Sequence, residues 1–348
     1  MARKPRHKRI REIDRPRRVM PWGDLPRGAE PVADGLVLID KPAGVTSHDI
    51  VGAMRRLGAT RKVGHTGTLD PMATGLLTLA FGRATKLVQY LTGADKTYVA
   101  RISLGVGSDT DDAEGVFYLP DRAQIMALNA ISTADIDQAI TELTGRIMQV
   151  PATVSAKKIG GKRAHDLVRE GETVELAAEE ITVYRFERTS VVTDGNCQVA
   201  EHDCATREFD VVVAASAGTY IRALARDLGA KLGVGAHLTM LRRTHVGSWN
   251  VQDGHTIEAL RDVVAGGGAV PIIGIDQVCG EAFSRVEVTD DEAVRLGKGL
   301  FIGYQEPVRK QDMNKWPACA FNSAGQAVAL VSKRRGELKP DLQIRLPE

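Results

Sequence analysis

The sequence predicts an α+β architecture in two parts, and three observations carry that expectation. Strand-like and helix-like runs follow one another without the regular alternation that builds a doubly wound parallel sheet. The 348 residues, 43% hydrophobic and 26% charged, have the composition of an ordinary globular chain, and that length corresponds to about two domains. A Gly266-Gly267-Gly268 break separates the long first part from a tail of short strands. The same composition argues against a collagenous, coiled-coil or wholly disordered protein. No apolar run reaches the roughly 18 residues of a membrane helix, and no secretory leader is evident, so a cytoplasmic protein with no membrane association is expected. Cys197, Cys204, Cys279 and Cys319 are too sparse for a disulfide scaffold and fit a reducing compartment.

Along the chain, residues 1–27 come first, with ten Lys/Arg against Glu12, Asp14 and Asp24. That segment carries +7 while the remainder carries −5. Such an arm either attracts nucleic acid by releasing counterions or serves as a solubilising tail. Pro21, Pro26, Gly28 and Pro31 interrupt it, so residues 1–34 are expected to be a disordered basic arm and folding to begin near Gly35. Leu36-Val37-Leu38-Ile39 is the first strand. Ser47 is expected to cap a helix whose apolar face is Ile50, Val51, Met54 and Leu57, with Gly58 ending it. A loop over 61–75 leads to a strand at 76–80 and a helix around 84–91. Residues 97–104 alternate as a strand, with Tyr98, Ala100, Ile102 and Leu104 on one side. A helix near 133–143 precedes the segment 151–175, where Lys157, Lys158, Lys162, Arg163, His165 and Arg169 surround Gly160-Gly161 as a flexible basic flap.

Long strands near 181–192 and 208–214 then flank a helix at 219–232 on its N-terminal side. In that helix Ile221, Leu224, Ala225, Leu228 and Leu232 form the apolar stripe, which leaves Arg222 off the buried face and free to pair. The body so defined spans 35–268. Beyond Glu281, short strands and a capping-box signature from Thr289 to Glu292 predict a small, mostly β module over 281–348.

The densest chemical signal is the run Gly64 to Gly75, GHTGTLDPMATG, in which three glycines and Pro71 force a sharply turned loop around Asp70. Glycine lets a ligand approach the backbone, and loops on a rigid scaffold are favoured places for catalytic groups. Taken alone, such an aspartate more often stabilises the turn than acts as a nucleophile. A Walker-type phosphate loop is excluded, since no Gly-Lys-Ser/Thr ending is present. Asp109, Asp111, Asp112 and Glu114 suggest a calcium loop, but Gly115 falls one place too late and the closing Glu is missing, so an acidic turn is the better reading. Cys197, His202 and Cys204 lack a fourth ligand at plausible spacing for zinc.

With this motif the chain resembles the TruB family of pseudouridine synthases. The opening run Gly35 to His48, GLVLIDKPAGVTSH, resembles the family's first motif, and 64–75 its catalytic-aspartate loop. Asp95-Lys96-Thr97-Tyr98 resembles the motif with a base-stacking tyrosine, and Ser216 to Arg222, SAGTYIR, the later motif that supplies a tyrosine and an arginine. Gly235-Ala236-His237-Leu238 through Leu241-Arg242-Arg243 follows in the same order, so the likeness covers about 35–260. The tail resembles a PUA domain more loosely, and the basic arm lies outside the pattern.

The resemblance implies a pseudouridine-synthase fold with a large mixed, mainly antiparallel sheet and flanking helices, and the isomerisation of a uridine in the T-loop of tRNA. That reaction breaks the ribose C1′–N1 bond, turns the base and joins C1′ to C5, with no redox step or net hydrolysis; hence no cofactor and no metal are expected. A carboxylate serves as nucleophile, or as base at the sugar, and the resemblance gives that role to Asp70. Whether attack at C1′ or a glycal route operates stays open. Arg222 would pair with Asp70 and fix its orientation. Tyr98 would stack on a base flipped out of the loop, a role compatible with a place at the rim of the core. By the same resemblance His65 contacts or displaces the flipped nucleotide, whereas alone it would suggest a structural hydrogen bond; Tyr220 and Leu241 line the pocket. The expected partner is the tRNA T-stem-loop, with no obligate protein partner and a monomeric enzyme. Two rivals are a non-catalytic RNA-binding or RNA-folding protein and a guide-RNA-dependent synthase.

Overall fold

The computed structural model describes residues 19–152, 158–159, 162–163, 176–304 and 317–345. Strand β1 (Gly35–Lys41) leads through the helix Ser47–Leu57 to β2 (Val63–His65) and β3 (Thr74–Phe81). A 3-10 turn at Gly82–Leu87 and the short helix Val88–Leu91 precede β4 (Lys96–Gly105). Next come a hairpin of β5 (Gly107–Ser108) and β6 (Phe117–Tyr118), the helices Arg122–Ala130 and Thr133–Glu142, and β7 (Gly145–Gln149). After the small pair β8 (Lys158–Ile159) and β9 (Lys162–Arg163) follow β10 (Glu179–Arg188), β11 (Thr193–Val199) and β12 (His202–Ala215). The helix Ile221–Lys231, β13 (Gly235–Val246), β14 (Trp249–Asn250), the helix Ile257–Ala265, β15 (Ile273–Gly274) and the helix Ile275–Ala282 complete this part. The tail holds β16 (Arg285–Glu287), the helix Asp290–Gly297, β17 (Ile302–Gly303), β18 (Ala318–Phe321), β19 (Ala327–Arg334) and β20 (Glu337–Gln343).

Eleven strands form one sheet in the order β15-β1-β3-β13-β4-β12-β10-β7, with β2 on β3, β14 on β13 and β11 on β12. All its pairings are antiparallel except β3 with β13, where Thr74 and Gly75 lie opposite Arg242 and Arg243. That parallel join brings the loop before β3 beside the middle of β13. It requires glycine: Gly75 has φ of +99°, and a Cβ there would lie 2.2 Å from the Arg243 carbonyl oxygen.

Strands β1 and β3 are apolar along nearly their whole length because both faces of this end of the sheet are covered. One face, through Val37, Ile39, Leu77 and Leu79, joins the main core with the helices Ser47–Leu57, Ile221–Lys231 and Ile257–Ala265. The other, through Leu36, Leu38, Leu76 and Ala80, meets Val278 and Cys279 of the helix Ile275–Ala282 and Cys319, Phe321 and Leu330 of the tail. The tail's own five-stranded sheet runs β16-β18-β19-β20-β17, and the expected capping box from Thr289 to Glu292 starts its helix.

Several expectations are corrected. Folding does not wait for Gly35: Trp22 is 3% exposed within the main core, and its carbonyl accepts from Arg261 Nη1 at 3.0 Å. Met20, Leu25 and Val32 pack beside it, so the prolines of this stretch shape a packed strap and the expected disordered arm does not extend over 19–34. Residues 1–18, with most of the arm's charge, lie outside the described residues. Trp22→Ala is expected to cost about 3–5 kcal/mol, the usual price of removing a buried Trp. Urea unfolding measures it, and a loss under about 1 kcal/mol would return the strap to the periphery.

The helix cap is Thr46 in place of Ser47, with Thr46 Oγ1 accepting from Asp49 N and Asp49 Oδ2 accepting from Thr46 N. Ser47 is released for another bond described below. Strand β11 escaped sequence reading because its residues, Thr193 to Val199, are mostly polar and exposed on a ribbon beyond the sheet. Cys197 and Cys204 of that ribbon are direct cross-strand neighbours. Apart from residues 151–152, β8 and β9, the basic flap lies outside the described residues.

Candidate active site

The loop carrying Asp70 is held from four directions. Ser47 Oγ donates to Leu69 O at 3.1 Å and accepts from Leu69 N at 2.9 Å. Arg243, buried on β13, donates through Nε to Leu76 O, through Nη1 to Thr68 O and through Nη2 to Gly67 O, at 2.8, 3.4 and 3.0 Å. Lys41, fully buried at the end of β1, places Nζ 3.2 Å from Pro71 O, 2.8 Å from Val45 O and 2.9 Å from Pro42 O. Gly44 N donates to Pro71 O at 2.8 Å. A short loop satisfied by so many fixed partners has little freedom to redirect its carboxylate. Burial pulls the Lys41 ammonium down to about 8, against the attraction of Asp70.

Asp70 does not spend its side chain on the turn, which the main chain closes by Ala73 N to Asp70 O at 3.1 Å. Its Oδ2 lies 3.0 Å from Arg222 Nε, and its side chain is 37% exposed, open to a ligand from above. Arg222 departs from expectation in one respect. It lies off the apolar stripe, yet it is only 4% exposed, because the β5–β6 hairpin covers that side of the helix. Arg222 Nη1 donates to Thr110 O at 2.8 Å and sits 3.4 Å from Asp112 Oδ2. One turn later Arg226 Nη1 reaches Asp111 Oδ2 at 3.1 Å. The acidic turn is thus a buried counter-charge for two arginines; burial still pushes Asp111 up to about 6 despite them.

Five of the six sequence-predicted residues, Asp70, Tyr98, Tyr220, Arg222 and Leu241, line one cavity of about 310 Å³. That lies at the small end of ligand sites, wide enough for one flat base and too small for a duplex. Tyr98 satisfies both its readings: it belongs to the main core and also lines the cavity. Leu241 comes from β13 and Tyr220 from the residue that starts the helix of Arg222. His65 is placed differently, half-buried on β2 opposite Leu79 and outside the cavity lining.

Sequence reading missed Lys96, Arg243, Lys41, Ser47 and Asp112 as builders of this site. Lys96 lines the cavity and donates to Thr92 O and Ala94 O at 2.9 and 2.6 Å; burial, then the nearby Arg243 charge, lower it to about 8. The usable signal was a cation inside an apolar run, as Lys41 ends GLVLIDK, since a strand buried on both faces carries charge only where that charge is bonded.

The same fold is seen in solved structures. An archaeal box H/ACA sRNP Nop10–Cbf5 complex contains a chain superposing with a TM-score of 0.62 at 23% identity, over 90% of this chain and 86% of that one. The likeness is one of fold alone. Residues 55–221 match the model of the TruB family pseudouridylate synthase N-terminal domain, and 222–267 that of the tRNA pseudouridylate synthase B C-terminal domain, which defines the class as pseudouridine synthase. The tRNA pseudouridine synthase B of Arthrobacter sp. (strain FB24) is 43% identical over 314 residues, covering 88% of this chain and 95% of the relative. That of Corynebacterium aurimucosum is 44% identical over 300 residues, covering 86% and 92%. The chain belongs to the TruB family of pseudouridine synthases.

Proposed function

We propose that this protein isomerises a uridine in the T-loop of tRNA to pseudouridine, with Asp70 as the carboxylate that acts at the sugar. The observation that carries the proposal is the Asp70–Arg222 pair, 3.0 Å apart in the lining of a base-sized cavity that Tyr98 and Tyr220 also line. The related enzymes' name, tRNA pseudouridine synthase B, supports tRNA as the substrate. The uridine must leave its stack to reach the cavity, at a cost of a few kcal/mol, and stacking on Tyr98 returns roughly 1–3 kcal/mol. Asp70 then attacks C1′ or removes a sugar proton; either way the C1′–N1 bond breaks. The detached uracil, held between Tyr98, Tyr220 and Leu241, turns to present C5. A C1′–C5 bond forms as the Asp70 carboxylate leaves C1′, or as it returns the proton to the sugar; N1 takes up a proton and the C5 proton passes to solvent. His65, on β2 and outside the cavity lining, contacts or displaces the extruded nucleotide on this reading.

An isomerisation without a redox step or net hydrolysis needs no cofactor or metal, and on this reading the chain works as a monomer on the T-stem-loop with no guide RNA or obligate protein partner. Residues 35–268 form the catalytic unit, and 281–348 a PUA-like module that extends the RNA-binding surface. Among the described residues no helix is long and apolar enough to cross a membrane, and the protein works in the cytoplasm, where its tRNA substrate is found. The experiment is tritium release from a T-stem-loop transcript labelled at uridine C5, using the purified chain alone. Stoichiometric release is expected. Binding without release would favour the RNA-folding rival, and release only after adding a guide RNA would favour the guided one.

A further inference from the structure

The helix Ile221–Lys231 starts without a side-chain cap of its own, although Tyr220 stands at the cap position. The Tyr220 main chain is held from a different strand. Gln149, the last residue of β7, is 1% exposed; its Oε1 accepts from Tyr220 N at 2.9 Å and its Nε2 donates to Tyr220 O at 3.1 Å. Both bonds agree on which end of the carboxamide is oxygen, since a flipped amide would set donor against donor and acceptor against acceptor. One side chain meeting both main-chain groups of one residue reproduces the paired bonds of an antiparallel ladder. The neighbouring residue is tied as well, with Arg226 Nη2 donating to Val150 O at 2.7 Å.

The position of this clamp matters more than its strength. Strand β7 is the edge of the large sheet, at the far end from β15. Tyr220 lines the cavity, and Arg222, two residues on, engages Asp70. The carboxamide therefore fastens the sheet edge to the point where the chain turns to present both groups.

We propose that Gln149 is a positioning residue for pseudouridine formation: its carboxamide fixes the Tyr220 main chain and so aligns Tyr220 and Arg222 on the flipped base. The proposal rests on the functional reading above. It differs from a merely structural role in where the loss falls. A structural amide lowers the melting temperature and leaves the chemistry of each folded molecule unchanged. A positioning amide lowers the single-turnover rate at saturating RNA while the Kd for the transcript holds.

Gln149→Glu offers a sharper signature. Ionised, the introduced carboxyl group accepts from Tyr220 N but faces Tyr220 O with no proton to donate; protonated, it donates and accepts as the amide does. Burial and the adjacent carbonyl oxygen both favour the protonated form, so lowering the pH restores the clamp. The single-turnover rate of Gln149→Glu relative to wild type at the same pH is expected to rise at least about fivefold from about pH 8 to about pH 6. The Gln149→Leu ratio should stay low and flat. If Gln149→Leu does not fold, the Gln149→Glu ratio is read on its own. A pH-independent Gln149→Glu ratio, or a Gln149→Leu rate equal to wild type, would overturn the proposal. Wild-type protein that releases no tritium would instead sink the functional reading, so the two failures are separable.

Discussion

Asp70→Asn forms no measurable pseudouridine while still binding the T-stem-loop: that is the expected result, with turnover falling by roughly 10⁴-fold or more, the scale of losing a catalytic nucleophile. The amide keeps the shape of the carboxylate and can still accept from Arg222 Nε, so the loop stays in place. What it loses is the negative charge and the lone pair that act at the sugar. The rest of the cavity is unaltered, because Lys41, Arg243 and Ser47 hold the loop through its main chain and none of them bonds the Asp70 side chain. The fold should survive, since the Asp70 side chain is 37% exposed, the amide oxygen can still accept from Arg222 Nε, and the buried Arg222 keeps Asp112 as its counter-charge. Tritium release under single-turnover conditions, filter binding and a thermal melt on one preparation give the three numbers. Turnover within about tenfold of wild type would remove Asp70 from the chemistry.

Much of this architecture could be read from sequence wherever a side chain's chemistry and its spacing agreed. The alternation Tyr98, Ala100, Ile102, Leu104 marks β4, and all four are buried. The apolar stripe of the helix Ile221–Lys231 is buried as its spacing requires. Sequence patterning falters where one residue does the work of another far along the chain. Ser47 looked like a cap because Ser precedes the apolar run, yet its hydroxyl serves Leu69, 22 residues away, and Thr46 caps instead. Asp112 looked like part of an acidic turn and nothing more, because nothing local shows that a helix more than a hundred residues later lays Arg222 over it. Trp22 was hidden by the charge around it: a segment judged by its prolines and arginines gives no sign that one ring is anchored in the core.

The candidate site follows the same division. Asp70, Tyr98 and Arg222 stood out because their residue types suit sugar chemistry and base flipping within motifs of family resemblance, and Tyr220 and Leu241 through that resemblance alone. The supports did not stand out, because a buried Lys or Arg bonding to carbonyls has no sequence signature beyond its odd presence in an apolar strand. Gln149 is the extreme case, a neutral side chain whose whole effect depends on the residue 71 positions away that it meets.

Arg222→Lys carries the second large expected effect, a fall in turnover of about 10²-fold or more with little change in RNA affinity. The guanidinium engages three fixed groups at once: Nε faces Asp70 Oδ2 at 3.0 Å, while Nη1 meets Thr110 O at 2.8 Å and Asp112 Oδ2 at 3.4 Å. A lysine ammonium keeps the charge but is a single point on a flexible stem, so it can neutralise one carboxylate only by leaving the other. The Asp70 carboxylate then loses its angular constraint, and misplacement by about 1 Å is enough to cost 10²-fold in rate. Asp112→Asn should act in the same direction and less severely, since the amide oxygen still accepts from Nη1 and Thr110 O is untouched. Because both substitutions loosen one arrangement, the double variant should lose less than the product of the two single losses. Stability separates this from unfolding: Arg222 and Asp112 are both 5% exposed, and breaking a buried pair costs about 3–5 kcal/mol, so rates are read well below each variant's melting temperature. Arg222→Lys within about fivefold of wild type, in folded protein, would show that a point charge suffices and that the fork geometry has no role in aligning Asp70.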